Sequence, residues 1–316
     1  MGALGWIFTV LGILLFLILA ILAGLFIYAF VRRDTPDPTA GAGWSAMNGW
    51  YPYRDQLQEG ADWIRAQEKE TLEMKSFDGL TLRGCYIPCE GATRCALLFH
   101  GYHGYPHTDF APLMRFYHEL GCNIFYADER AMNSSDGRII TFGVHESRDL
   151  FDWVKLVNER YPGQKLFLGG VSMGASTVLY ATRFELPENL LGIVADCGFT
   201  SPYEIIKHVM RQNFPFLPLW LLVPEEWLCR LIGRFSMKDC DTRELLRNAK
   251  QPVLFIHGTD DDFVPTEMSR EGFEACASPK KLVLIPGAGH ACSAMQEPET
   301  VRSAIRGFLT EIGFLS

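Results

Sequence analysis

Basic charge is scarce in this 316-residue chain: 29 Lys plus Arg stand against 37 Asp plus Glu, a formal charge of −8. A protein that binds nucleic acid needs a basic face to neutralise phosphates, so no nucleic-acid partner is expected. Internal repeats are absent, as are low-complexity tracts beyond the N-terminal apolar run, and 48% of the residues are apolar. Disordered and collagen-like chains are thereby excluded. The 9 cysteines are odd in number and scattered, which argues against a disulfide framework. Cys85 and Cys89 are too isolated to form half of a zinc site. The thiols read as small buried hydrophobes in a reducing compartment.

Charge is missing altogether from Met1 to Val31, and Leu4 to Phe30 is almost continuously apolar. At about 1.5 Å per residue that run reaches roughly 40 Å, enough to cross a hydrocarbon core of about 30 Å with some tilt. A cleaved signal peptide would show a basic start, a shorter apolar run and a small-x-small exit, and none is clear. Trp6 and Tyr28 suit the two interfaces, which favours a single membrane anchor. Arg32 and Arg33 follow the run directly, so the positive-inside rule puts the bulk of the chain on the cytoplasmic side. The Pro-, Gly- and Ala-rich stretch from Asp34 to Met47 reads as a linker.

Beyond it, Thr71–Phe77 and Leu80–Pro88 are β-type runs joined at Asp78-Gly79, a hairpin signal. Short apolar runs follow at Cys95–His100, Asn123–Ala127, Lys165–Gly169, Leu191–Asp196, Pro252–His257 and Lys281–Pro286. Most are separated by helix-like segments, the clearest carrying Leu150, Val154, Val157 and Tyr161 on one stripe. Such alternation predicts a mainly parallel sheet covered on both faces, with antiparallel strands at one edge. The 55 or so residues between Asp196 and Pro252 are too many for one crossover helix. Their middle, Phe214–Phe235, is dense in Trp, Leu, Phe and Pro. It reads as extra core helices, as a cap over a site, or as a face that touches lipid.

Chemistry concentrates at three strand ends. Gly170-Val171-Ser172-Met173-Gly174 lies between a strand-like and a helix-like run, where a tight turn lifts a serine out of the sheet. The helix start behind it offers N–H groups that favour negative charge. A nucleophilic serine needs a base and an orienting acid. Thr259-Asp260-Asp261-Asp262 follows the strand at Pro252–His257, and Gly287-Ala288-Gly289-His290 follows the one at Lys281–Pro286. In a parallel sheet these loops share one edge. His100, His103 and His107 are spaced like metal ligands, but the Gly- and Pro-broken segment carries no Asp or Glu at helical i+4 spacing, so no metal is expected. His145, His208 and His257 read as structural or solvated.

From Thr71 to Phe314 the chain resembles the α/β-hydrolases, most closely the serine aminopeptidase S33-like group with its esterases and lipases. The resemblance is carried by His100-Gly101-Tyr102, Gly170–Gly174, the stretch His257-Gly258 to Asp261 and Val264-Pro265, and Gly287–His290. It implies an α/β fold: a twisted, mostly parallel sheet with helices on both faces and a helical cap insertion, here preceded by the one transmembrane helix read from the apolar run. The implied division is a transmembrane helix over 4–31, a linker and lead-in over 32–60, and a hydrolase domain over 61–316 with the cap at about 200–247. It implies Ser172 as nucleophile, Asp261 as acid and His290 as base, with the backbone N–H groups of Tyr102 and Met173 as the oxyanion hole. Asp128-Glu129-Arg130-Ala131-Met132-Asn133-Ser134-Ser135 departs from the family's usual D-x-R-G-H-G-x-S. The function expected is a membrane-anchored serine hydrolase of carboxylic esters that needs no cofactor. Its partners would be a small acyl substrate and the bilayer, and the apolar 214–235 segment leans toward lipophilic acyl chains. Amide cleavage or acyl transfer on the same fold, and a non-catalytic hydrolase-like binding protein, are the alternatives.

Overall fold

The computed structural model describes residues 2–40 and 49–315. Its first element, α1 (Ala3–Phe30), is a helix from end to end, as expected of a Leu-, Ile- and Ala-rich run without proline. It is long and apolar enough to cross a membrane. Its two ends meet different surroundings: from Leu4 to Ile21 the large side chains are exposed, whereas Leu22, Phe26 and Phe30 are buried against the rest of the protein. The helix stops where Val31 turns extended and pairs with Ile139. Arg32 N–H donates to the Arg138 carbonyl at 2.8 Å, and Ile140 N–H to that of Phe30 at 2.8 Å.

The stretch expected as a linker over Asp34–Met47 lies partly outside the described residues. Its described part is bonded to the domain: Asp37 meets His107 at 2.7 Å and Arg65 at 3.0 Å, and the Tyr105 hydroxyl donates to the Thr35 carbonyl at 2.7 Å. A helix α2 (Arg54–Ala66) runs through residue 60, because Leu57, Ala61 and Ile64 fall on one buried face.

Eight strands follow: β1 (Glu70–Lys75), β2 (Thr81–Ile87), β3 (Arg94–Phe99), β4 (Asn123–Asp128), β5 (Lys165–Val171), β6 (Leu190–Asp196), β7 (Val253–Gly258) and β8 (Lys280–Ile285). They form one sheet in the order β1-β2-β4-β3-β5-β6-β7-β8. The β1–β2 and β2–β4 pairs are antiparallel, and every pair from β4–β3 onward is parallel. Gly79 makes the first hairpin turn at φ +91°.

The helices that matter here are α3 (Glu146–Arg160), α4 (Met173–Tyr180), α5 (Pro202–Asn213), α6 (Leu222–Leu228), α7 (Thr266–Ala275) and α8 (Pro298–Glu311). One apolar core lies between the sheet and α2 and α8, with Leu57, Ile64, Val301, Ile305 and Phe308. The opposite face is covered by α3 and α4, through Leu150, Trp153, Val154, Val157 and Val178. A further cluster joins Phe26 and Phe30 of α1 to Phe142, Phe199, Ile205 and Phe235, roofing the C-terminal edge of the sheet. The long insertion after β6 folds as α5, α6 and short helical turns. Leu222 and Met210 pack with Leu22 of α1, while Phe216, Trp220, Val223, Trp227, Leu231 and Ile232 face outward.

Candidate active site

Ser172 follows β5 and precedes α4, with φ 55° and ψ −116°. That is strained backbone for a residue with a Cβ. The turn is held by Ser172 N–H donating to the Asp196 carbonyl at 2.8 Å. Two glycines make it possible: a Cβ on Gly170 would sit 2.3 Å from the Gly174 carbonyl oxygen, and one on Gly174 would sit 2.0 Å from that of Phe99. The strand and helix approach closely enough to leave no room for a methyl group.

Asp261, in the loop after β7, and His290, in the loop after β8, come to the same place. His290 Nε2 is 2.9 Å from Ser172 Oγ, and His290 Nδ1 is 2.7 Å from Asp261 Oδ2. Asp261 has only acceptors to offer, so Nδ1 carries a proton toward it and Nε2 is left to accept from the serine hydroxyl. Asp261 Oδ1 accepts from the backbone N–H groups of Phe263 at 3.0 Å and Val264 at 2.8 Å. Asp260 and Asp262, its neighbours in sequence, are exposed.

Burial alone would raise the Asp261 carboxyl, but hydrogen bonds from His257 and His290 outweigh it and hold the group down at about 2. The His257 contribution was not anticipated. That ring is fully buried, its Nε2 3.1 Å from Asp261 Oδ2 and 2.9 Å from the Val264 carbonyl. Both partners are acceptors, so Nε2–H donates, and Nδ1 faces Ser269 Oγ at 2.7 Å. His257 therefore serves as a fixed donor to Asp261. The Phe263 ring lies 5.0 Å from that of His290, and Trp50 Nε1–H donates to the His290 carbonyl at 3.1 Å.

Tyr102 follows β3. Its backbone N–H and that of Met173, the first residue of α4, have no acceptor among the described residues. Asp109, which no sequence pattern marked, fixes the Tyr102 loop by accepting from Gly101 N–H at 2.6 Å. The His100, His103 and His107 spacing does not gather ligands. His100 accepts from Glu129 N–H through Nε2, and His107 pairs with Asp37. The grouping of metal-competent side chains among the described residues is Cys197, Asp261 and His290. There the two Asp261 oxygens already take N–H donors, and burial pushes the Cys197 thiol well above its usual range.

Two cavities meet at Ser172. One is apolar and has Leu25, Tyr28, Ala29 and Phe30 of α1 on one side and Ile206 and Val209 of α5 on the other. The second is more polar, bounded by Pro38, Trp50, Tyr105, Asp109 and His290. The segment that departs from the family pattern is structural: Arg130 forms a buried pair with Asp149 at 2.6 Å and reaches Asp78 at 3.0 Å.

A mostly parallel sheet with an antiparallel edge, a serine on a strained strand-to-helix turn, and acid and histidine loops after later strands define the α/β-hydrolase fold. This chain has that fold. No protein-family model matches it. The uncharacterized protein YqkD of Bacillus subtilis is 26% identical over 244 residues, 77% of this chain and 79% of its own. The alpha/beta hydrolase domain-containing protein 17B of Xenopus tropicalis is 25% identical over 273 residues, 81% of each chain. Among solved structures, the Pyrococcus furiosus esterase Pf2001 superposes with a TM-score of 0.64 at 24% identity, covering 85% of this chain and 98% of its own.

Proposed function

We propose that the protein is a membrane-anchored serine hydrolase that cleaves carboxylic esters. The observation that carries this is the continuous hydrogen-bonded line from Asp261 through His290 to Ser172. In this reading Ser172 Oγ attacks the acyl carbon while His290 Nε2 takes its proton. Asp261 holds the imidazole in the tautomer that leaves Nε2 free and stabilises the cation that forms. Negative charge gathers on the former carbonyl oxygen, and the unspent N–H groups of Tyr102 and Met173 are its donors, each worth roughly 3–4 kcal/mol in comparable sites. His290 returns the proton to the departing alcohol, and water repeats the cycle on the acyl-enzyme. The likeness to an esterase fold supports ester substrates.

Two observations support a retained anchor. The exposed side chains of α1 from Leu4 to Ile21 are apolar apart from Thr9, whose hydroxyl donates to the Gly5 carbonyl, and its C-terminal end is built into the wall beside Ser172. Cleavage after the helix would remove that wall. Arg32 and Arg33 favour a cytoplasmic catalytic domain. Ser172→Ala is expected to lower turnover of p-nitrophenyl esters by about 10⁶-fold and to abolish fluorophosphonate labelling. Near-unchanged turnover in that variant refutes the assignment, and preference for aminoacyl anilides over every ester overturns the ester reading. Digestion of the domain from outside sealed cells would reverse the orientation.

A further inference from the structure

The apolar cavity beside Ser172 is closed by parts that do not hold the sheet together. Leu25, Tyr28, Ala29 and Phe30 belong to α1, and Ile206, Val209 and Met210 belong to α5. A water-sized sphere has about 130 Å³ of free space inside the cavity. The carboxyl of Glu225 on α6 also lines it, yet this side chain is 3% exposed and both its oxygens lack a partner among the described residues. Burial pushes that carboxyl up to about 8, which favours its neutral form.

The outer faces of the same two parts are also apolar. The exposed stretch of α1 from Leu4 to Ile21 is 18 residues long by its numbering, about 27 Å at helical rise and close to the hydrocarbon thickness of a bilayer. With that stretch in the membrane, the next residues, Leu22 to Phe30, fall at its surface, and these are the ones that pack on the cap. Around them Phe216, Trp220, Val223, Trp227, Leu231 and Ile232 stand 51–79% exposed. Exposed Trp and Phe at that depth match the interface of a bilayer. A mostly apolar lining, with Arg33 and Glu225 as its charged-type members, thus runs from Leu25 of α1 and Leu222 of the cap to Ser172.

We propose that this cavity is the acyl-chain site for an ester resident in the same bilayer, whose chain reaches Ser172 by passing between α1 and the cap. The proposal rests on the ester-hydrolase reading and adds the substrate class: a long-chain acyl ester taken from the membrane rather than from water. It makes the anchor helix a part of the binding site. The more polar cavity on the other side of Ser172 is left for the alcohol portion.

The test uses the full chain in phosphatidylcholine vesicles. The readout is the turnover of p-nitrophenyl palmitate dissolved in the membrane, divided by that of p-nitrophenyl butyrate in solution. Ala29→Trp fills the cavity from α1 and Val209→Trp fills it from α5. Each is expected to lower the ratio by about tenfold or more. Fluorophosphonate labelling of Ser172 identifies the folded variants, and whichever wall yields folded protein decides. An unaltered ratio in a labelled variant overturns the acyl site and leaves the hydrolase reading intact. Absence of labelling in the unsubstituted protein overturns both. For the route, Trp220→Asp combined with Trp227→Asp is expected to depress palmitate turnover in vesicles about fivefold more than in detergent micelles. Equal losses in the two media overturn entry from the bilayer.

Discussion

The hydroxyl of Tyr102 donates to the carbonyl oxygen of Ala29 across 2.9 Å, tying the loop after β3 to the last turn of the apolar helix. The same hydroxyl lies 3.1 Å from the Tyr28 carbonyl, and Arg33 Nη2–H donates to that carbonyl at 2.9 Å. A helix end leaves carbonyls without partners, and here the loop after β3 supplies one. In Tyr102 a single residue therefore bonds the helix through its side chain, while its own N–H has no acceptor among the described residues. Tyr102→Phe should cost about 1 kcal/mol of stability, read from denaturant midpoints. Proteolytic cutting between residues 28 and 33 should quicken, and turnover should fall severalfold. A variant with unchanged cutting and turnover would sever the proposed link between the helix and the loop.

Asp261 should govern stability in acid. Its carboxyl sits at about 2, below the ordinary 3.8, so its contribution is fully present above that ordinary value and disappears as pH falls through 2. The amount is on the order of 2 kcal/mol. Because His257 supplies one of the donors, His257→Asn should shrink this loss and lower kcat by about tenfold with little change in KM. Denaturant midpoints between pH 5 and 2 and steady-state kinetics provide the readouts. An acid profile identical to the parent's would show that His257 is not one of the groups depressing Asp261.

The tight turn at Ser172 should reject any added methyl group. Gly174→Ala places a Cβ 2.0 Å from backbone oxygen, a clash that costs about 3 kcal/mol or more. Gly307→Ala in α8 is the counterpart: its Cβ meets nothing within 4 Å, so the helix should gain about 0.5–1 kcal/mol. Thermal unfolding of the two variants should separate them in opposite directions from the parent.

Shortening the N-terminus should have a threshold. Removal of residues 2–21 takes away the exposed part of α1 and should leave the detergent-solubilised domain folded and reactive toward fluorophosphonates. Removal of residues 2–30 also takes Leu22, Phe26 and Phe30, whose ring neighbours include Phe142 at 5.6 Å and Phe235 at 5.8 Å. Each buried side chain lost is worth roughly 1.5–3 kcal/mol. The longer deletion should therefore aggregate or unfold several degrees earlier in a thermal scan, and equal behaviour of the two would contradict the packing described.

The strands were legible in the sequence because buried strands of a parallel sheet are short apolar runs bounded by turn residues. Lys165–Gly169 and Lys281–Pro286 differ from β5 and β8 by only a residue or two at the ends. The convergence of Ser172, an acid from the Asp260–Asp262 run and His290 was readable from chain order plus strand-end position, since parallel strands deliver their following loops to one edge; the choice of Asp261 rested on the family resemblance. The placing of β4 between β2 and β3 was not, because sequence order carries no lateral order. Nor was the contact of His257 with Asp261, which depends on the path of the loop after β7 and not on any pattern. The double character of α1 was hidden for a different reason: a helix that is apolar all round gives no hint of which positions touch protein and which do not.

Because the chain passes from Phe30 into paired backbone at Val31 and Arg32, there is no slack between stalk and body. Tilting or spinning of the catalytic unit against the stalk would break hydrogen bonds at Arg138 and Ile140. With α1 seated in a bilayer as proposed, a body joined this way would keep one height and one heading above its support, so its reach would be confined to a thin layer. It would meet new material by drifting sideways, a search in two dimensions instead of three.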